Sequence, residues 1–327
     1  HRRVVAADEF APGRADLVLP GQVVVAVGQV PGGANDVLGP RAGLAYDPFG
    51  DGRMTRRRRW LTGAAGIVVL AVAVAAAIYL TRYHLSLKVI DAGKSRASWI
   101  PCTHNHAGYP DGISGKELLR LMREQACKYG ARIETARVTK LEQCEDGLFS
   151  AEWGSGSRKA RTVLLATGVT NRRPPMDEEL HDQALAQGLI RYCPICDGYE
   201  VTDKKVGVIG SDSHGVAEAL FIRSYTADVT LIAPHDSLRL DPEDRQKLED
   251  AGIKSVDGPA EAVAIDGEAI VVSTAEGHFA FDSVYPALGS DTHTQLADML
   301  GARLNEQGCI GVDAHQRTNV GGLYAAG

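Results

Sequence analysis

Tyr192-Cys193-Pro194-Ile195-Cys196-Asp197-Gly198-Tyr199-Glu200 is the stretch that decides how the rest of the chain is read. Two cysteines separated by two residues can close a small disulfide ring, hold a metal, or simply pack. Their surroundings weigh among these. Val206-Gly207-Val208-Ile209-Gly210 reads as a buried strand and Ser211 to Gly215 as a tight turn. Val216 to Ile222 continues as a helix, and Val229-Thr230-Leu231-Ile232 comes next as a second strand. A Cys-x-x-Cys just ahead of a βαβ unit is a redox signal more than a zinc signal. Zinc would require a second ligand pair at comparable spacing, and none occurs nearby.

These residues also carry a resemblance. CPICDGYE, followed directly by a strand and a glycine turn into a helix, resembles the thioredoxin-reductase-like flavoproteins, the FAD/NAD(P)-dependent pyridine nucleotide-disulfide oxidoreductases. The resemblance implies an α/β fold of two Rossmann-like three-layer domains, one inserted in the other. On that pattern residues 61–172 and 290–327 form the FAD-binding domain. Residues 173–289 form the inserted NAD(P)-binding domain with the redox cysteines. It further implies FAD and NAD(P)H as cofactors, a thioredoxin-like protein or a small-molecule disulfide as partner, a homodimer, and a cytoplasmic location.

The bulk numbers agree with such a protein. At 327 residues the chain has room for two domains, and with 44% hydrophobic and 23% charged residues it is globular in composition. A net charge of −6 offers no basic face for nucleic acid. Six cysteines are too sparse for a secreted disulfide scaffold. Cys102, Cys127, Cys144 and Cys309 stand apart from the pair.

Residues 1–60 differ from the remainder of the chain. They contain no lysine, collect arginine up to Arg56-Arg57-Arg58-Arg59, and are punctuated by Pro-Gly pairs that leave no helix-length periodicity. The stretch reads as misframed or untranslated sequence ahead of Met54, or as a loosely packed leader. Gly63 to Leu80 then invites two readings. One is a signal anchor of 18 uncharged residues, of which seven are alanine and contribute little to insertion. The other, which is favoured, is the opening βα of a Rossmann domain, with Leu85 to Asp91 as the second strand. In that register the family's three fingerprint glycines should fall near Val68, Leu70 and Ala73, and none is glycine. Those glycines allow the tight turn, the approach of pyrophosphate and close helix–strand packing.

Asp91 ends the second strand, where an acid accepts ribose hydroxyls or caps the turn before Gly93. Cys102, His104 and His106 alternate in a pattern a metal can use, but HNHAGYPDGISG resembles the family loop that lies along the flavin, which implicates Asn105 and His106. Ser114 and Glu117 form a capping box for a helix from Gly115, with Leu118, Leu121, Met122, Gln125 and Ala126 toward the core. Arg132 to Val138 reads as one strand, and the resemblance puts the backbone near Val138 against adenine. Leu148 to Trp153 and Arg161 to Ala166 alternate as an antiparallel hairpin. Ala166-Thr167-Gly168 resembles the exit from the flavin domain, and the prolines at 174 and 175 mark a linker.

By resemblance Cys193 attacks the substrate disulfide, Cys196 faces the flavin, and Asp197 exchanges a proton with the leaving thiolate. Gly210 and Gly215, with Ser213 between them, keep the outer positions of the nucleotide fingerprint, while its middle glycine is Asp212, a carboxylate that repels pyrophosphate. Arg239 is the one arginine near the 2′-phosphate position. Phe279 to Gly289 resembles the strand returning to the flavin domain. Thr318 to Gly327 matches the family's closing segment, implicates Gly327, and stops before the aspartate that comes next in the family. A dithiol oxidase of the same fold, a membrane-anchored redox protein and a remnant unable to hold FAD are the alternatives.

Overall fold

The structure, a computed structural model, describes residues 23–27, 69–154 and 156–326. In chain order it contains β1 (Val23–Val27), α1 (Val69–Arg82), β2 (Leu87–Asp91), a 3-10 turn (Arg96–Trp99), α2 (Gly115–Lys128), β3 (Arg132–Thr135), β4 (Val138–Gln143), β5 (Phe149–Trp153) and β6 (Gly156–Ala160). Next come β7 (Thr162–Ala166), β8 (Val169–Asn171), α3 (Glu178–Ala186), α4 (Pro194–Asp197), a second 3-10 turn (Gly198–Val201), β9 (Val206–Ile209), α5 (Ser213–Ile222), β10 (Val229–Ile232) and α6 (Pro242–Asp250). The chain closes with β11 (Lys254–Val256), β12 (Ala262–Asp266), β13 (Ala269–Thr274), β14 (Gly277–Phe281), β15 (Ser283–Pro286), β16 (Ser290–Thr292), α7 (Gln295–Met299) and β17 (Leu323–Ala325). These elements form two Rossmann-like units of α/β architecture.

The first unit comprises residues up to Ser95, Leu119–Gly168 and Thr292–Gly327. Its five-stranded sheet runs β17-β7-β1-β2-β3. β17 lies parallel to β7 and β2 parallel to β3, as a dinucleotide fold requires. The central strand departs from that plan, because β1 runs antiparallel to both β2 and β7. Residues 1–60, expected to stand outside the fold, thus contribute Val23–Val27 to it. The strand of the expected βα opening, with Gly63, Gly66 and Val68, lies outside the described residues, as do Met54 and the arginine run. Its helix is α1, alanine-rich and ending where the Thr81 hydroxyl donates to the Ala77 carbonyl at 2.7 Å. Among the described residues no helix is long and apolar enough to cross a membrane.

A second, antiparallel sheet β4-β5-β6 packs Val138, Leu141, Phe149, Ala151 and Trp153 into the same core as Val163, Leu165 and Leu323. Two expectations change here. Arg132 to Val138 is two strands rather than one: β3 ends at Thr135 on the large sheet, and β4 starts at Val138 on the small one. The expected hairpin partner of β5 is also different. Gly154, at φ 43°, turns the chain at once into β6, and Thr162–Ala166 crosses to the large sheet, where both its faces find neighbours. Along α2, Leu118, Leu119 and Ala126 are buried as helical spacing demands, whereas Gln125 is exposed.

The second unit comprises Arg96–Leu118 and Val169–Asp291. Its parallel sheet runs β11-β10-β9-β15. Every residue of β9, β10 and β15 is buried, the continuous apolar pattern of a sheet covered on both faces. β12, β13 and β14 form an antiparallel meander, with the Asp266-Gly267 turn where the sequence puts it. Phe279 to Gly289 divides between the end of β14 and β15, so its two halves serve two different sheets. Residues 96–118, assigned from the sequence to the flavin domain, group with this unit, where Arg96, His104 and Asn105 bond to Tyr192, Glu200, Ile195 and Cys196.

Candidate active site

Cys193 and Cys196 are joined by a disulfide, with the sulfurs 2.11 Å and the Cα atoms 5.3 Å apart. Cys193 precedes the single turn of α4, whose first residue, Pro194, has its φ fixed for a helix start. Both cysteines are partly exposed, and Ile195 between them is exposed. The turn therefore presents its sulfurs on a short, proline-set bend, suited to reaction with another disulfide.

Behind the sulfurs the turn is polar and buried. Asp197 is 5% exposed. One carboxylate oxygen pairs with the Arg191 guanidinium at 3.1 Å, and the other accepts the Tyr285 hydroxyl at 3.0 Å. Burial nevertheless pushes the Asp197 pKa up, against the pull of Arg191 and of the Tyr285 hydrogen bond; the neighbouring Glu200 adds to the rise. Tyr285, fully buried on β15, is held well above the ordinary phenol range by burial and by Asp197. A buried carboxyl of raised proton affinity, on the residue that follows the second cysteine, can store and return a proton.

Glu218 of α5 adds a second carboxyl to this region. Its side chain is 12% exposed, its Oε1 has no hydrogen-bond partner among the described residues, and His214 Nε2 lies 3.8 Å from Oε2. Burial raises its pKa to about 7; Asp197 contributes to the rise and Arg96 opposes it. Arg96 is itself lowered by burial, and it donates to the Tyr192 carbonyl at 3.3 Å. Sequence reasoning missed Arg191, Tyr285 and Glu218. Arg191 stands two residues before Cys193, close enough for the sequence alone to suggest it. The other two reach the site only through the sheet and helix that carry them.

The loop 101–113 covers the turn. Thr103 and Ile113 exchange backbone hydrogen bonds of 2.9 and 3.0 Å, closing the loop at its base. The Asn105 amide donates to the carbonyls of Ile195 and Cys196 at 2.9 and 3.0 Å, and His104 Nδ1 meets Glu200 Oε1 at 2.7 Å. Asn105 is thereby engaged with the redox turn itself. His106 is exposed and stacks edge-on against Tyr109 at 5.4 Å. His106 does not join Cys102 and His104, and among the described residues no group of three or more such side chains could hold a metal.

The other expected cofactor residues divide between the units. Asp91 is buried at the end of β2, but one oxygen accepts the Gly93 amide at 2.8 Å and the other pairs with Arg123. Both readings of this residue, turn cap and ribose acceptor, use the same oxygens, and the cap is in place. Val138 is a core residue registered opposite Trp153. Thr167 donates to the His293 carbonyl at 2.6 Å, and Gly168, at φ 59°, accepts from the His293 amide at 3.1 Å, so the pair forms a tied bend. Gly327 lies outside the described residues.

In the second unit Gly210 and Gly215 meet face to face. A Cβ on Gly210 would sit 2.8 Å from the Gly215 Cα, so both must lack side chains for α5 to pack on β9. Ser213 is the exposed first residue of α5. Asp212 caps that helix, its Oδ1 accepting from the amides of His214 at 3.0 Å and Gly215 at 3.3 Å. These amides are the donors a pyrophosphate would use, and they already carry a carboxylate. The strand–turn–helix framework thus fits a nicotinamide dinucleotide, while the phosphate seat does not in its usual form. The FAD side is similar: the acid at the end of β2 is present but already paired.

Known proteins match this arrangement. A thioredoxin reductase from Treponema pallidum (strain Nichols) is 32% identical over 275 residues, covering 81% of this chain and 85% of its own length. One from Listeria monocytogenes is 27% identical over 271 residues, covering 77% and 81%. The crystal structure of thioredoxin reductase from Streptococcus pyogenes MGAS5005 superposes with a TM-score of 0.69 at 26% identity, covering 78% and 85%. That family works with FAD and NAD(P)H. With the profile of the pyridine nucleotide-disulphide oxidoreductases matching residues 71–327 in addition, the chain belongs to that family.

Proposed function

We propose that the chain is a disulfide reductase of the thioredoxin reductase type, which takes electrons from NAD(P)H through FAD and delivers them from the Cys193–Cys196 pair to a thioredoxin-like protein or a small disulfide. The observation that carries this reading is the closed Cys193–Cys196 disulfide backed by a buried carboxyl of raised proton affinity. FAD, when bound, supplies the electron pair that opens the disulfide. The chain's own residues then act in order. The Cys193 thiolate attacks the substrate disulfide and forms a mixed disulfide with one half. Asp197 gives its proton to the departing thiolate. The Cys196 thiolate attacks Cys193 and restores the ring, and the second half leaves as a thiolate that takes its proton from water. Asp91, Asn105, His106, Val138, Thr167, Gly168 and Gly327 are assigned to FAD, and Gly210, Ser213 and Gly215 to the nicotinamide dinucleotide. Asp212 and the paired Asp91 do not offer phosphate and ribose their usual partners.

The absorbance spectrum of the purified chain, before and after NAD(P)H, is the direct test. A flavin band bleached by NAD(P)H, with turnover of a disulfide that Cys196→Ser abolishes while the band remains, supports the reading. A colourless protein, or turnover retained in that variant, refutes it. One observation favours a second reading, dithiol oxidation, in which a dithiol and molecular oxygen yield a disulfide and hydrogen peroxide. Asp212 occupies the amides a pyrophosphate would use, and this route requires no nicotinamide. Peroxide formation from a dithiol without NAD(P)H distinguishes it.

A further inference from the structure

Beside the redox turn stands a third cysteine in company that the disulfide chemistry of Cys193 and Cys196 does not use. Cys102 Sγ lies 3.9 Å from His104 Nε2, the range in which a thiol meets a nitrogen, and the opposite ring nitrogen of His104 is 2.7 Å from Glu200 Oε1. The order is nucleophile, base and orienting carboxylate. Glu200 lies just past the redox turn, and its second oxygen is buried without a hydrogen-bond partner among the described residues. An ionised carboxylate only accepts, so the tautomer that satisfies this contact carries its proton on Nδ1 and presents Nε2 to the thiol as an acceptor.

The backbone is shaped around this contact. Gly112 has φ 75°, and a Cβ there would lie 2.5 Å from Cys102 Sγ and 2.7 Å from His104 Nε2. The glycine therefore lies directly over the thiol and the imidazole. The Thr103–Ile113 backbone pair holds the two strands of the loop together one residue away on each side. Cys102 is partly exposed, so a small molecule has access to it.

We propose that Cys102, His104 and Glu200 form a second thiol–disulfide exchange site that takes a low-molecular-weight disulfide into a mixed disulfide on Cys102. The Cys102 proton passes to His104 Nε2, and Glu200 stabilises the charge that forms. The thiolate attacks one sulfur of the disulfide, and a new S–S bond forms as the old one breaks. The departing thiolate takes the proton back from His104. One thiol and one disulfide enter; one mixed disulfide and one thiol leave. No electrons from NAD(P)H are required, and Cys193–Cys196 stays closed. The site is therefore independent of whether the redox pair works as a reductase.

The test uses the full chain in its oxidised form with 2,2′-dipyridyl disulfide as probe, following pyridinethione release and assigning adducts by peptide mass mapping. Cys127 and Cys309 are the more exposed cysteines and serve as internal references. Cys102 is expected to react at least about tenfold faster than either, because a positioned base outweighs exposure. His104→Ala should lower the Cys102 rate at least about tenfold and leave the reference rates unchanged, and Glu200→Gln should lower it in the same sense. Should His104→Ala open the loop and speed every cysteine, the isosteric Glu200→Gln carries the comparison. A Cys102 rate no greater than that of Cys127 and Cys309 overturns the proposal. So does a Cys102 rate that Glu200→Gln leaves unchanged.

Discussion

Replacing Glu218 with glutamine tests the buried polar region beneath the redox turn by a route that does not depend on turnover. An isolated glutamate ionises near 4.5, and in the folded chain burial and Asp197 raise this to about 7. A raised carboxyl pKa means that the folded state holds the proton more tightly than the unfolded chain. Stability from this group is complete below about pH 4.5 and is lost progressively as pH rises through about 7. At 1.36 kcal/mol per pH unit the window corresponds to about 3 kcal/mol. Glutamine cannot ionise, so Glu218→Gln removes that dependence. The readout is amide hydrogen exchange in α5 and β9, which reports opening of the second unit. The protection of the variant relative to the unmodified chain should rise roughly a hundredfold between about pH 4.5 and about pH 8. Taking the ratio at each pH cancels the intrinsic pH dependence of exchange. The charged groups facing Glu218 are Arg96, Asp197 and His214. If Arg96 held Glu218 ionised in the folded chain, the variant would strand a buried guanidinium and lose protection at every pH. That outcome, or a flat ratio, would refute the reasoning.

Tyr285→Phe removes the hydroxyl that donates to Asp197 at 3.0 Å, a bond worth about 1.5–3 kcal/mol to the ionised carboxylate. Asp197 should then keep its proton to higher pH, and the pH profile for alkylation of the reduced cysteines should move upward; an unmoved profile removes Asp197 from the proton path. Asp212→Gly frees the amides of His214 and Gly215 at a cost of only a few tenths of a kcal/mol in capping. Calorimetric titration should show tighter NAD(P)H binding in that variant, and unchanged affinity would mean that the pyrophosphate does not approach this turn.

What the sequence made legible was what is local. Cys-x-x-Cys, the apolar run of β9, the glycines at 210 and 215 and the strand at Val229 each identify themselves within a few residues, because turn chemistry and side-chain period are short-range properties. The Asp212 carboxylate was readable as an obstacle. Its role as a helix cap needed the helix to start at Ser213, three residues before the apolar spacing suggests. Pairing between distant segments was not legible. Nothing near Val23 announces that it enters a sheet between strands that begin at Leu87 and Thr162, and nothing near Tyr285 announces Asp197, 88 residues earlier. The misassigned hairpin has a related origin: β6, Gly156-Ser157-Arg158-Lys159-Ala160, carries no apolar alternation, so periodicity passes over it and joins β5 to β7. Cys102 and His104 were visible as alternate residues, within a loop read by resemblance as the one that lies along the flavin. Only the return of the chain to Glu200, 96 residues on, turns them into a thiol, a base and a carboxylate.

The same contrast bears on how the chemistry is divided. Every side chain that holds the redox turn belongs to one unit: Arg191 and Tyr285 on Asp197, Asn105 on the two carbonyls, and Glu200 on His104. The redox turn is therefore held by hydrogen bonds and an ion pair among the unit's own residues, and at Asp197 burial and those neighbours set the proton affinity. The nucleotide turn is different, because its donors already hold the chain's own carboxylate. On the proposed reading, a change at that turn should alter which donor can deliver electrons and leave the disulfide, Asp197 and the neighbouring thiol as they are. On the proposed reading, exchange chemistry at sulfur is the same under either source of electrons, NAD(P)H or a dithiol. It follows that the reactivity of Cys193, Cys196 and Cys102 toward disulfides should survive Asp212→Gly unchanged even where NAD(P)H binding responds to it.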